Sequence, residues 1–501
     1  MGSDTPEREL TLEAGPEFQL PSLFGVDRGL AIRLRSPERL VTTYYDTEDL
    51  RLARWGANLR QRRSEGWTVE LPAESSSPVL ARSEITVPGE GDSPPDELVD
   101  LVRGLTRAAD LRARTRLSTR RRRVELFGTG PEPLAGVVED DVSVHHDGHA
   151  SRSAFREIEV EIGDATTPAL LDALVARLRL AGAGAASSTS RYIRSLDPGA
   201  SPAPEVEVPE LRAGSASVGD VVRDAIARSV VRLIRHDPIV RLDTDPEGVR
   251  RARVATRRLR SDLRTFRKVV DDGWATSLRD ELGWLASLLG TVRDGDVLLE
   301  RLRRHALELP DAARPGATEV LATLEAARDG SHRTLLETIR GERYLALLER
   351  LIAAANDPAL RPEAGAPAEA VLRTLARRPW HSLERHVAAL GASPSDEELH
   401  DIRIRTERAR YAAEAAAPLL GPHVRAFAKA AARLQDVLGE LNGAVVAESW
   451  LREWVQAHAS STGATAATGL MACERAEAER WRRAWRDAWE ELASPELHAW
   501  M

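Results

Sequence analysis

One cysteine, Cys473, stands among 501 residues. An internal disulfide framework is therefore excluded, and the thiol content suits a reducing compartment. No uninterrupted run of about 20 apolar residues occurs, so no helical membrane span is expected. The opening MGSDTPERELTLEAG lacks the basic and apolar regions of a secretory signal. These absences together predict a cytoplasmic protein. Lysine is nearly missing, occurring only at positions 268 and 429. Positive charge is carried by arginine, whose planar fork matches phosphate oxygens two at a time. A codon bias toward Arg, Ala and Gly accounts for the same excess. The formal net charge of −8 leaves no protein-wide basic footprint, which argues against nucleic acid as a partner. Any anion site must come from local clustering of arginines.

What is present reads as two halves. Hydrophobic content of 42% and charged content of 30% describe a globular chain, and its length calls for two or three domains. Through residue 195, segments such as ERELTLE, RLVTTYYD, WTVELP, RSEITVP and FREIEVEIG alternate with period two and read as strands. PPDELVDLVRGL and PALLDALVARLRLAG read as helices among them. Residues 196–216 are rich in Pro, Ser and Gly and read as a linker. From 217 to 501 the apolar residues recur at i, i+3, i+4 and i+7. The expected architecture is an α+β antiparallel β-tunnel or barrel over 1–195, followed by an all-α helical bundle over 217–501.

The first half alternates charges of both signs. Glu7 and Glu9 fall on one strand face, as do Glu157, Glu159 and Glu161, and EDD lies at 139–141. Such carboxylates facing inward would repel one another unless a hard cation such as Mg²⁺ or Mn²⁺ lay between them. Arg60 with Arg62, and Arg120 with Arg122, alternate likewise and would suit a metal-bridged polyphosphate. On spacing alone the pattern equally fits the wet face of a sheet.

ERELTLEAGPEFQLP, YYDTEDLRLARWGANLRQRR, WTVELP, EDDVSV and FREIEVEIG, in that order, resemble the motifs of CYTH domains, the triphosphate tunnel metalloenzymes. The resemblance covers about residues 5–195. It implies a closed antiparallel tunnel that binds a triphosphate-type substrate with a divalent metal. By this resemblance Glu7, Glu9, Asp141, Glu157 and Glu159 would hold the metal, and Glu7, Glu9, Glu157 and Glu159 would serve catalysis by orienting the attacking water. Arg60, Arg62, Arg120 and Arg191 would hold phosphate oxygens. Two positions depart from the family: Thr11 stands where Glu-x-Glu-x-Lys has its lysine, and Glu70 replaces the lysine of W-x-L-K-L-P. Both remove positive charge from a polyanion site.

The second half writes one arginine ladder twice. RRARVATRRLRSDLR from Arg250 aligns without a gap with HDIRIRTERARYAAE from His400, and LLGTVRDGDV (288–297) is answered by VLGELNGAVV (437–446). The matched offsets predict an internal duplication, as two four-helix bundles or one pseudo-symmetric bundle. These stretches, with IRHDPIVRL, resemble the CHAD domain over about 217–450. The resemblance implies binding of inorganic polyphosphate, with His236, Arg250, Arg253, Arg257, Arg258, Arg260, His400, Arg403, Arg408 and Arg410 as the contacting residues. Glu407 and Gly443 stand where lysine and aspartate are expected, so the second wall of the groove is expected to be the weaker. The functional expectation is a polyphosphate-binding protein with a metal-dependent triphosphatase or polyphosphatase tunnel, present in the cytoplasm or on polyphosphate granules. Its alternatives are a non-catalytic granule binder with a decayed tunnel, and an adenylate cyclase-like activity.

Overall fold

The computed structural model describes residues 4–27, 29–72, 80–145, 154–163, 165–187, 189–196, 202–459 and 461–501, with backbone only for 4–8 and 80–82. The chain divides into two compact units, Met1–Glu205 and Val206–Met501.

The first unit is an antiparallel ten-stranded sheet. Its strands are β1 (Asp4–Ala14), β2 (Ala31–Leu34), β3 (Glu38–Asp46), β4 (Asn58–Arg62), β5 (Gly66–Pro72), β6 (Leu80–Val87), β7 (Arg112–Phe127), β8 (Pro133–His145), β9 (Ala154–Ile162) and β10 (Ala183–Ala186). Pairing runs β1-β6-β5-β4-β3-β7-β8-β9, and β9 pairs with β1 again through Glu9–Ala14. Strand β1 also pairs with β10, and β2 pairs with β7, so two strands lie outside this circuit. The sheet is thus more elaborate than the simple closed tunnel that the sequence suggests. Alternation sorts its faces. Leu10, Leu12, Val124, Leu126, Val137, Ile158 and Val160 point outward and pack against Leu170, Leu174 and Leu178 of the helix Pro168–Leu180. The charged residues between them point inward. Residues 203–205 pack onto this unit: the buried Glu205 accepts 2.7 Å from Trp55 Nε1 and pairs with Arg107.

The second unit is helical and duplicated. Helices Val218–Leu242, Pro246–Thr265, Asp272–Ala306 and Arg314–Ile339 are followed by Ala368–Ala388, Asp396–Leu420, Pro422–Ala457 and Gly463–Leu492. Each start in the second set lies 149 or 150 residues after its counterpart. Each of the four helices touches its own counterpart, so the unit is one bundle with a pseudo-twofold axis. The helix Glu342–Asn356 lies between the two sets in sequence. Capping boxes start the first helix of the first set, through Ser217 with Asp220, and the second helix of the second set, through Ser395 with Glu398. No helix among the described residues is long and apolar enough to cross a membrane.

Candidate functional site

In the sheet unit, the inward rows of neighbouring strands bring like and unlike charges together. Glu9 stands opposite Glu161 and Thr11 opposite Glu159 across β1–β9; Asp140 stands opposite Glu157 across β8–β9 and opposite Arg121 across β7–β8. All of these but the fully buried Asp140 line a cavity of about 270 Å³, whose lining also includes Arg60, Arg62, Glu70, Glu84, Arg123 and Arg191. Two arginines organise it. Arg191 pairs with Glu157 through Nε, while its Nη2 donates to Asp140 at 2.6 Å and Glu159 at 2.7 Å. Arg121 donates to Asp140 at 3.0 and 2.7 Å. Arg191 is fixed by its neighbour. Tyr192 is fully buried, stacks on Tyr44 at 4.9 Å and donates to Asp46 at 3.1 Å, and Asp46 in turn accepts the backbone N–H groups of Leu52 and Ala53.

The charges respond to this setting. Burial opposes ionisation of Asp140, but Arg191 and Arg121 outweigh it and hold the carboxyl below its usual value. At Glu157 and Glu161 burial prevails, and both carboxyls are raised despite Arg191 and Arg123. Burial, followed by the proximity of Arg60, lowers the Arg62 guanidinium. Ligand oxygens of Asp140, Glu157 and Glu159 lie within 4.8 Å of one another, a hard-donor set that fits a divalent metal.

Six of the expected residues, Glu9, Glu157, Glu159, Arg60, Arg62 and Arg191, line this cavity. The Glu7 side chain lies outside the described residues. Arg120 and Asp141 do not reach the cavity. Both are exposed on the opposite face, where Asp141 lies 3.5 Å from Arg156. Their neighbours Arg121, Arg123 and Asp140 take the inward places, because Val124, Leu126 and Val137 commit the other phase to the core. The expected departures Thr11 and Glu70 do face inward. Glu70 pairs with Arg60, which also donates to both Glu84 oxygens at 3.1 Å. Glu84 was missed: it stands directly opposite Glu70 across β5–β6, a relation invisible without the register.

In the helical unit the two ladders meet where Pro246–Thr265 touches Asp396–Leu420. Arg257 and Glu407 occupy equivalent places in the two repeats and pair with each other, so they mark the pseudo-twofold axis. Arg258 donates to Glu414 at 2.9 Å. The equivalent combination on the other side is Arg408 beside Arg264. Burial, followed by repulsion from Arg264 and Arg405, lowers the Arg408 guanidinium. Two cavities open there. One, of about 160 Å³, is lined by Arg257, Arg260, Arg264, Arg279, Glu407 and Arg408 among others. The other, of about 230 Å³, has Arg264, Arg267, Lys268, Arg378, Arg405 and Arg408, with no carboxylate in its lining. Among the described residues, Arg260, Arg264, Arg267, Lys268, Arg279, Arg378, Arg403 and Arg408 have no ion-pair partner.

The remaining expected contacts are differently placed. Arg250 is exposed and held by Glu247, Arg253 donates to Asp294 at 2.7 Å, and Arg410 lies 3.7 Å from Glu414. Arg253 and Arg260 lie over the bare backbones of Gly290 and Gly283, where an added Cβ would sit 3.7 and 3.6 Å from their guanidiniums. His400 shares a 2.7 Å hydrogen bond with Asn442. His236 is buried, with Nδ1 at 2.7 Å from the Arg232 carbonyl and Nε2 at 3.5 Å from Arg251. Asp294, Glu407 and Glu414 pair with Arg253, Arg257 and Arg258 of the first ladder, and Glu414 also lies against Arg410 of the second. The cations without an ion-pair partner come from both ladders, Arg260 and Arg264 from the first and Arg403 and Arg408 from the second.

A CYTH domain matches residues 19–193 and a CHAD domain matches residues 224–452. Two uncharacterized proteins of Mycobacterium tuberculosis, MT2285 and Rv2226, are each 31% identical over 494 residues, spanning 92% of this chain and 91% of theirs. The chain belongs to the CYTH–CHAD fusion family. Among solved structures, PptA from Streptomyces chartreusis is similar at 25% identity and a TM-score of 0.46, over 55% of this chain and 100% of that one. The CHAD domain from the plant Ricinus communis is similar at 25% identity and a TM-score of 0.47, over 57% of this chain and 96% of that one. The CYTH domain holds the carboxylate–arginine cavity, and the CHAD domain holds the arginine groove.

Proposed function

We propose that this protein binds inorganic polyphosphate in the arginine groove of its CHAD domain, and that its CYTH domain is a metal-dependent triphosphatase of low turnover. One observation carries the binding reading: unpaired arginines cluster around two adjoining cavities that share Arg264 and Arg408. Uncompensated like charge within a groove is unfavourable until an anion enters. A flexible chain of phosphates, with a charge on each unit, satisfies several forks in sequence.

In the CYTH domain, Asp140, Glu157 and Glu159 would hold Mg²⁺ or Mn²⁺, with Glu9 and Glu161 beside them. The bound ion would supply Lewis-acid polarisation of a phosphoryl oxygen. Arg191, at present paired with all three carboxylates, would turn from them to the phosphate. Arg62, paired with Glu65, and Arg123, paired with Glu161 and Glu125, would each have to share or exchange a carboxylate for phosphate, and Arg60 is engaged by two, Glu70 and Glu84. That clamp favours a second reading, a polyphosphate binder whose tunnel no longer turns over. The domain boundaries 1–195 and 217–501 belong to the same proposal. Phosphate release from tripolyphosphate with Mg²⁺ or Mn²⁺ separates the two readings. Polyphosphate binding that duplex DNA outcompetes at equal phosphate concentration would overturn both.

A further inference from the structure

The strongest unexplained cluster lies away from both sites, in the helical unit. His305 sits in the last turn of Asp272–Ala306 and is 3% exposed, yet neither ring nitrogen has a hydrogen-bond partner. An imidazole so buried ordinarily has both nitrogens satisfied. Its Nδ1 lies 3.6 Å from a Glu308 oxygen, and its ring, Glu308 and the half-buried Cys473 place their ligand atoms within 4.8 Å of one another. On the opposite edge, Nε2 lies 3.5 Å from Glu474 Oε1, itself buried and without a hydrogen bond.

We propose that His305, Glu308 and Cys473 form a zinc site. Sulfur, imidazole and carboxylate together suit a borderline cation such as Zn²⁺ better than Mg²⁺ or Ca²⁺. Tetrahedral zinc, with bonds of about 2.0–2.3 Å, needs ligand atoms about 3.3–3.8 Å apart. The required contraction is about an ångström, and Glu308, whose side chain is 62% exposed, is free to make it. The backbone N–H of Glu308 donates 3.0 Å to the His305 carbonyl, which keeps the two ligands in register. The outer support is in place as well. Glu474 faces the second ring nitrogen, and its other oxygen accepts 2.6 Å from Arg301 Nε. With the ion bound, a hydrogen bond from Nε2 to Glu474 would order carboxylate, imidazole and metal in a line and leave Nδ1 for the ion. The helix end beside the site carries partial negative charge, which also favours a cation. On binding, Cys473 releases its proton to solvent and ligates as thiolate, and a water completes the fourth position. The ion would join Asp272–Ala306 to Gly463–Leu492, one helix from each repeat.

The test uses the full-length, untagged chain, stripped with a chelator and titrated with Zn²⁺ and with Co²⁺ as a spectroscopic substitute. The expected results are a thiolate-to-cobalt charge-transfer band that saturates at one thiolate-bound ion per chain, apart from any ion taken by the CYTH carboxylates, and alkylation of the sole cysteine slowed at least tenfold by Zn²⁺. Glu308→Gln, at an exposed position that leaves the fold intact, should weaken binding tenfold or more, and His305→Gln more still. Circular dichroism confirms that each variant is folded. Absence of the cobalt band in the folded wild-type chain would overturn the site. So would a band and a zinc affinity unaltered by Glu308→Gln and His305→Gln.

Discussion

Glu70 holds Arg60 inside the cavity of the CYTH domain. It stands opposite Asn58 on β4, accepts 2.6 Å from the Asn58 amide, and pairs with the arginine two places along. Arg60 is 7% exposed and Glu70 is 6% exposed, so solvent does little to screen the pair. A phosphate oxygen approaching Arg60 competes with a carboxylate already in place.

Exchanging that carboxylate for a cation should raise activity. Glu70→Lys together with Thr11→Lys is expected to increase tripolyphosphate turnover with Mg²⁺ or Mn²⁺ by about tenfold or more, equivalent to about 1.4 kcal/mol of barrier. Chelation of the metal should abolish the gain. An unchanged rate in the folded double variant would show that lost positive charge is not what limits this tunnel.

Arg191 pairs with three carboxylates that could hold a metal, so its removal should make stability metal-dependent. Arg191→Ala leaves Asp140, Glu157 and Glu159 without their shared partner, a loss of about 3–5 kcal/mol for a broken buried pair. Millimolar Mg²⁺ or Mn²⁺ should restore much of the lost melting temperature, and should affect the wild-type chain far less. Calorimetry with and without chelator reads the difference.

In the groove, unpaired arginines should matter more than paired ones. Arg264→Ala with Arg408→Ala is expected to weaken polyphosphate binding at least tenfold and to flatten its salt dependence, since each arginine that neutralises a phosphate releases counterions; the rule is calibrated on nucleic acid and extended here. Arg403→Ala should cost more than Arg253→Ala, because Asp294 already occupies Arg253. Equal losses from these two, measured by titration at several salt concentrations, would contradict the assignment.

Asp262 predicts a pH dependence of stability. It is 1% exposed, neither carboxylate oxygen has a hydrogen bond, and burial raises its pKa to about 7 against the pull of Arg258. The folded state therefore binds a proton that the unfolded state gives up near pH 4. This contribution is complete below pH 4 and is lost as the pH rises to 7. Asp262→Asn should remove that slope, worth on the order of 2–4 kcal/mol. Denaturant midpoints at pH 5 and pH 8 should differ less in the variant than in the wild-type chain.

The architecture was legible because its signals are long. Period-two strands, the helical apolar periodicity after residue 217 and a 150-residue echo each extend over many positions. The phase of the charged strands was harder to read. Four consecutive arginines, 120–123, carry no alternation of their own, and EDD at 139–141 is equally silent. The deciding residues were Val124, Leu126 and Val137, whose burial against the helix sets which neighbours face the cavity. Cross-strand relations such as Glu70 with Glu84, and cross-repeat ones such as Arg258 with Glu414, depend on register and packing angle. No single segment encodes either.

The pseudo-twofold axis at Arg257 and Glu407 has a bearing on descent. In a symmetric dimer of identical chains, a residue on the axis must face its own copy. Arginine there would meet arginine, and glutamate would meet glutamate. Joining the two copies into one polypeptide lifts that constraint, since each half can then mutate alone. The attractive pair at the centre, and the one-sided groove where Arg264 faces Arg408, are both arrangements that only a fused ancestor could acquire.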